Sequence, residues 1–205
     1  LLDLEAPIGE VVPELHAGNG DTSEITLHQV LAQTSTYYDD LDRWYQSGGC
    51  SSLSERIDGA PNPILYGEPG TMHHTFLKST FMIAGLALEN EGGEAFPDAM
   101  KARVLEPLGM GGGYEPSLLD GGDYSLGHYA PEVDDTLHLG CRNLDPADGY
   151  YGSARDFEKL LMYLTGGAGD VLAPTTRAAM LAPQGVHFWS TDHTVYGLSG
   201  WDVPD

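Results

Sequence analysis

Pro69-Gly70-Thr71 opens the stretch on which the fold turns, and Leu105-Glu106-Pro107-Leu108-Gly109-Met110 closes it. Between them, Leu77 to Glu89 is apolar nearly all round, through Leu77, Phe81, Met82, Ile83, Ala84, Leu86, Ala87 and Leu88. A helix without a polar face belongs inside a core rather than on a surface. Gly92-Gly93 ends it. Pro97 then takes a favourable first helical position, and Asp98 sits near the positive end of the helix dipole. Met100, Val104 and Leu105 form the buried stripe of this second helix, and Pro107 stops it near Leu105 or Glu106.

Working outward, residues 1–25 read as irregular, punctuated by Pro7, Pro13 and Gly18-Asn19-Gly20. Thr26-x-x-Gln29 is a capping-box pattern ahead of Leu27, Val30 and Leu31, so a short helix starts there. Asp39 to Gln46 reads as a further turn or two of helix. Residues 47–71, with Pro61, Pro63 and Pro69 among glycines and serines, read as loop. Residues 111–150 lack a regular pattern, broken by Gly111-Gly112-Gly113 and Gly121-Gly122; irregular segments of such length are functional or pack over a site. Ser153-x-x-Asp156 starts another helix, with Phe157, Leu160, Leu161 and Leu164 as its apolar stripe and Gly166-Gly167 as its end. A short helix follows from about Pro174 to Leu181, and Val186 to Trp189 and Val195 to Leu198 read as strands. The fold class is mainly α with minor β, the sheet beginning near residues 186–201. A length of 205 residues suffices to bury a core, with a single domain over 1–205 as the default.

The charge is extreme: 31 acidic residues stand against 9 basic ones, for a net charge of −22. Such a surface repels phosphate and excludes nucleic acid as a partner. The acids are dispersed, which reads as a solvated acidic surface rather than a cation-binding cluster; it also resembles the surfaces of salt-adapted proteins. No apolar run reaches the length of a membrane span. Leu1-Leu2-Asp3-Leu4-Glu5 has neither the basic start nor the apolar segment of a signal peptide, and periplasmic, extracellular and cytoplasmic locations all stay open. Cys50 and Cys141 are compatible with a disulfide and with two free thiols.

Several further segments carry a family resemblance. Leu2-Asp3-Leu4-Glu5-Ala6-Pro7-Ile8 and Val12-Pro13-Glu14-Leu15 resemble the segment after the nucleophile helix of the serine beta-lactamase-like hydrolases. These comprise class C beta-lactamases, family VIII esterases and D-alanyl-D-alanine peptidases. Ile25-Thr26-Leu27 through Leu31-Ala32-Gln33-Thr34-Ser35 is similar to their Ile-Thr-Leu…Leu-Leu-Thr-His-Thr-Ser-Gly segment, with Thr36 in place of the glycine. Pro146-Ala147-Asp148-Gly149-Tyr150-Tyr151-Gly152-Ser153-Ala154-Arg155-Asp156 resembles their Pro-Ala-Gly-Gly-Leu-Tyr-Ser-Thr-Ala-Arg-Asp loop. Ala173-Pro174 to Met180 and Tyr196-Gly197-Leu198-Ser199-Gly200-Trp201 resemble the next helix and strand, the latter with Ser199 added. The resemblance covers almost the whole chain, in the family's order.

It implies the central helical region of a beta-lactamase-like α/β serine hydrolase fold, a partial domain lacking the nucleophile segment and terminal strands. In that family a cleft is built from Ser-x-x-Lys, Tyr-x-Asn and a Lys-Thr-Gly or His-x-Gly strand. A serine hydroxyl needs a nearby base, and backbone N–H groups stabilise the oxyanion. None of the three lysines closes a Ser-x-x-Lys: Thr75, Asp98 and Asp156 stand three residues before Lys78, Lys101 and Lys159. None of Asn19, Asn62, Asn90 and Asn143 closes a Tyr-x-Asn. Counted back from Gly85, that motif's place falls on Phe76-Leu77-Lys78, where phenylalanine has no proton to exchange. Lys78 puts a cation in the first turn of a helix, against the dipole.

The resemblance therefore implies no intact catalytic set in these residues, with Phe76 and Lys78 at the Tyr-x-Asn-equivalent positions. Gly149, Tyr150, Tyr151 and His74 are the candidate cleft residues; ordinary packing beneath the loop is the alternative for both tyrosines. His73-His74 has no carboxylate or cysteine at a ligand spacing, so neither a metal nor another cofactor is expected. Ser153 and Asp156 read as a helix cap, not as catalytic groups. Two functions follow. The chain is part of a serine hydrolase acting on amide or ester bonds of a small-molecule or peptide-like substrate, with a partner chain or flanking sequence supplying the missing elements. Alternatively, it is a degenerate, non-catalytic homologue that binds a ligand or partner protein through the inherited cleft.

Overall fold

The computed structural model describes residues 2–38, 52–60, 63–71, 78–114, 146–147, 149–167, 171–182, 194–196 and 202–204, with Lys78 and the last two stretches described through their backbone alone. A 3₁₀ turn at Ile8–Glu10 leads into α1 (Leu27–Leu31), β1 (Tyr37–Tyr38), α2 (Leu53–Asp58), β2 (Ile64–Leu65) and α3 (Lys78–Gly92). After these come α4 (Phe96–Met100), a π-helical turn (Lys101–Leu105), α5 (Ala154–Leu164), α6 (Pro174–Leu181), β3 (Thr194–Tyr196) and β4 (Asp202–Pro204). The expected helix over Asp39 to Gln46 and the strand over Val186 to Trp189 lie outside the described residues.

The apolar stretch forms α3, and its Met82, Ile83, Leu86 and Ala87 are buried. α1, α2 and α4 pack around it. Ile8, Val12, Ile25, Leu27, Val30, Leu53 and Ile57 join the same core from the N-terminal third. Gly85 lets the chain come close: a Cβ there would stand 2.2 Å from Pro146 Cγ, so the loop opening at Pro146 lies directly on α3. Asn90 Nδ2 donates to the Val11 carbonyl at 2.8 Å and ties the far end of α3 to the start of the chain.

Local chemistry sets the helix ends. Thr26–Gln29, Ser52–Glu55 and Ser153–Asp156 each form a reciprocal capping box, satisfying backbone donors that the first helical turn leaves orphaned. The middle one corrects the reading of residues 47–71 as loop, for α2 and β2 both lie there. β2 pairs antiparallel with β1, Tyr37 opposite Leu65 and Tyr38 opposite Ile64. Asn19 clamps this strand, accepting from Leu65 N at 2.7 Å and donating to Leu65 O at 2.8 Å. At the other end of the chain β3 pairs antiparallel with β4.

The α5 stripe is corrected in part: Leu164 is buried and Leu160 half-buried as expected, but its other two members are not. Phe157 and Leu161 are 45% and 44% exposed, whereas Tyr163 is 2% exposed. Tyr163 turns inward because its hydroxyl meets the backbone of Leu172, accepting from its N–H at 2.7 Å, while Arg177 lies over its ring at 5.1 Å. Arg177 also donates to the Tyr163 carbonyl at 2.8 Å, so α6 is held to the end of α5 by polar contacts although none of its own residues is buried.

Thr36 sits at φ 57°, in the left-handed region where a β-branched residue is strained. Its hydroxyl donates to the Gly67 carbonyl at 2.8 Å, which offsets part of that strain. Thr36→Ala loses the hydrogen bond and keeps a Cβ at positive φ; Thr36→Gly loses the bond but removes the strain. Glycine is expected to leave the protein more stable than alanine by about 1 kcal/mol in urea unfolding, and equal stabilities would mean that this backbone is not strained.

Candidate functional site

Two clusters flank the positions that the sequence singles out. The first surrounds the start of α3, whose opening residue is Lys78. Glu68-Pro69-Gly70-Thr71 is a turn of the type that requires a positive φ at its third residue: Gly70 has φ 84°, and Thr71 N donates back to Glu68 O at 3.2 Å. A Cβ on Gly70 would stand 2.9 Å from Gln29 Nε2, the end of a flexible side chain, so it is the positive φ that calls for glycine. The turn is held by Gly70 N donating to Thr34 O at 2.7 Å, and Tyr66 N donates to Thr36 O at 3.0 Å. Gln33 Nε2 in turn donates to Thr80 Oγ1 in the first turn of α3 at 2.5 Å. Gln33, Thr34, Ser35, Thr36, Ser79 and Thr80 are all buried, an unusual concentration of polar side chains for a core.

The second cluster is built on the 149–156 loop. Gly149 is buried; Tyr150 and Tyr151 are half-buried. Tyr151 and Gly113 exchange backbone hydrogen bonds of 2.7 and 2.9 Å. Tyr150 meets Tyr114 edge-on at 5.7 Å and Phe157 at 5.6 Å, and Tyr114 meets Phe96 at 5.2 Å. Glycines make room for its ring: a Cβ on Gly112 would lie 2.4 Å from the Tyr150 hydroxyl, and one on Gly152 would lie 2.4 Å from Cε1. Burial, with the nearby Asp156 charge second, pushes the Tyr150 phenol up to about 12. Burial, with Tyr150 second, pushes Tyr114 up to about 12 as well. Both phenols therefore keep their protons at neutral pH.

Asp156 locks this cluster to the chain after α4. Its carboxylate accepts from Gly111 N at 2.8 Å, Ser153 N at 2.9 Å and Ser153 Oγ at 2.7 Å. The Gly111 N–H above all, then the two Ser153 donors, lower its pKa to about 2. Lys159 lies 3.5 Å from Asp156 Oδ1 and also donates to the Gly109 carbonyl. Ser153 and Asp156 thus form the cap that the sequence indicates, and Asp156 adds a long-range contact that the cap pattern does not reveal.

Of the sequence candidates, Gly149, Tyr150 and Tyr151 come together in one loop, Lys78 opens α3, and His74 and Phe76 lie outside the described residues. Gln33 and Thr80 were not among them. The available signal was Ser79-Thr80, a polar pair inside an otherwise apolar helix. Among the described residues, no three His, Cys, Asp or Glu side chains gather as a metal site requires, and no helix is long and apolar enough to cross a membrane.

The model of the beta-lactamase family matches residues 1–204. No curated protein matches the chain. Solved structures share its fold at low identity. A D-stereospecific amidohydrolase from a Streptomyces species is 17% identical with a TM-score of 0.74, the match covering 97% of this chain and 63% of that one. The octameric penicillin-binding protein homologue from Pyrococcus abyssi is 19% identical with a TM-score of 0.75, covering 97% and 47%. A D-amino acid amidase from Ochrobactrum anthropi, complexed with D-phenylalanine, is 17% identical with a TM-score of 0.67, covering 99% and 60%. The chain thus spans less than two thirds of the length of each.

The Asp156 lock has a pH signature. Its folded pKa of about 2 lies below the ordinary 3.8, so its stabilisation is present above about pH 4 and is lost as the pH falls toward 2. A shift of this size is worth about 2 kcal/mol. Asp156→Asn lacks the titration, so the stability gap between wild type and variant is expected to narrow by more than about 1 kcal/mol from pH 5 to pH 2.5 in urea unfolding. A gap independent of pH would show that the carboxylate charge does not carry the lock.

Proposed function

Because the chain belongs to the beta-lactamase family, we propose that it is part of a serine hydrolase that cleaves amide or ester bonds in small-molecule or peptide-like substrates. The observation that carries this reading is the family match over residues 1–204. Support comes from what the similar structures are: an amidohydrolase, a D-amino acid amidase, and a hydrolase with promiscuous acyltransferase activity. In all such chemistry a hydroxyl attacks an acyl carbon, a base takes its proton, and fixed N–H donors hold the oxyanion.

The residues of this chain supply only part of that machinery. No Ser-x-x-Lys occurs in the sequence, so we place the nucleophile and its lysine in polypeptide outside these 205 residues, in flanking sequence or in another chain. Tyr150 carries its proton at neutral pH, its phenol pushed up to about 12 by burial. The role that falls to this part is cleft wall, with Gly149-Tyr150-Tyr151 on one loop and the start of α3 as the other border.

One observation favours a second reading. Phe76 and Lys78 stand where the family's tyrosine and asparagine belong, and phenylalanine accepts no proton. In that reading the chain is a degenerate homologue that binds a ligand or partner protein through the cleft without turning it over.

The 205-residue chain alone is expected to hydrolyse neither nitrocefin nor a short-chain p-nitrophenyl ester above background. Turnover that disappears in Lys78→Ala would overturn this and identify a rewired site. A longer polypeptide carrying a Ser-x-x-Lys upstream is expected to be labelled by a covalent serine-hydrolase probe. Failure to label would sink the enzymatic reading in favour of the binding one.

A further inference from the structure

Gln33 is 1% exposed and has φ 59°, a left-handed conformation that a long side chain occupies only where its surroundings hold it there. Its carboxamide reaches across 47 residues of sequence to donate to Thr80 Oγ1, itself 1% exposed. The next residue, Thr34, accepts from Gly70 N–H through its backbone carbonyl at 2.7 Å. Two successive residues of one loop thus hold the turn at 68–71 and the first turn of α3, the two anchors on either side of residues 72–77. The same loop continues to Thr36, which takes Tyr66 N–H and gives its hydroxyl to Gly67 O. A glycine or asparagine would meet the backbone requirement at position 33 at lower strain. Neither would reach Thr80, and that reach is what the glutamine adds.

We propose that Gln33 is a positioning residue: its carboxamide, with the Thr34 carbonyl beside it, sets the first turn of α3 against the Pro69–Gly70 turn and so fixes the Lys78 border of the cleft. The functional meaning rests on the proposed cleft, whereas the positioning itself needs no turnover to be measured. A bond that merely adds to overall stability affects every amide that opens by global unfolding alike; a bond that positions one turn protects that turn above its neighbours.

The test is amide hydrogen exchange on the full 205-residue chain, comparing wild type with Gln33→Ala, Thr80→Val and Thr80→Ser. Thr80→Val keeps the shape of the side chain and removes the hydroxyl; Thr80→Ser keeps the hydroxyl. In Gln33→Ala and Thr80→Val, the amides of Gly70, Met82 and Ile83 are expected to exchange at least about tenfold faster relative to those of Leu86, Ala87 and Leu88. Thr80→Ser is expected to retain the wild-type pattern. A uniform rise along α3, or no change at Gly70, would overturn the proposal. If Gln33→Ala fails to fold, the two Thr80 variants decide it. A negative result with the serine-hydrolase probe leaves this exchange pattern untouched, so the two ideas fail separately.

Discussion

Burial of α3 is the constraint on which the rest depends. Between Phe81 and Leu88 this helix is apolar on all sides, and such a surface is unstable in water until it is covered; α1, α2 and α4 supply the cover. α1 and α2 lie on it, α4 turns back against it, and the loop beginning at Pro146 presses on Gly85. Each fully buried side chain such as Met82, Ile83 or Leu86 contributes about 1.5–3 kcal/mol. The N-terminal segment, without regular structure of its own over most of its length, is drawn in through Ile8, Val12 and Ile25. This apolar attraction also works against a net charge of −22, whose self-repulsion favours expansion.

The irregular connections need a different kind of support. Strands among the described residues are two or three residues long, so ladders satisfy few backbone groups. Side chains take over: Asn19 pairs with both backbone groups of Leu65, Thr22 caps the Leu15 carbonyl, Asn90 takes Val11, and Asp156 takes Gly111. Each bond joins segments between 7 and 79 residues apart. Each belongs to a residue type whose short polar side chain competes well with backbone partners. Asp156 does most in this respect, because one carboxylate serves a helix cap and a distant glycine together, and these donors are what hold its proton affinity down.

The sequence made the covalently local features legible and left the long-range ones hidden. α3, its glycine stop, the Pro69–Gly70 turn, the Thr26 and Ser153 caps and the bounds of α6 follow from patterns within a few residues. Ser52-x-x-Glu55 carries the same signature as those caps, but the glycines and prolines on either side outweigh it in the composition of the segment, which hides α2. On α5 the aliphatic periodicity pointed to Phe157 and Leu161, while Tyr163 took the buried place. A tyrosine can be buried where its hydroxyl finds a partner, and that partner, the Leu172 backbone, belongs to a later segment. Of the candidate site, the Gly149–Tyr151 loop was legible through its glycine and tyrosines. The Gln33–Thr80 contact was not: the polar pair Ser79-Thr80 calls for a partner, but nothing local says that the partner lies 47 residues away.

Fold and chemistry are written in different residues here. The core cluster consists of Ile8, Val12, Met82, Leu86 and their neighbours, and none of these four apolar side chains can take or give a proton. A sequence can therefore keep the whole cluster whatever occupies positions 76 and 78, and good packing of α3 says nothing about turnover. The reverse dependence does hold. Lys78 opens α3, so its place in space is set by how that helix is buried and by what holds its first turn. The cleft proposed above would take its geometry from the same apolar helix and from the polar loop that grips its first turn.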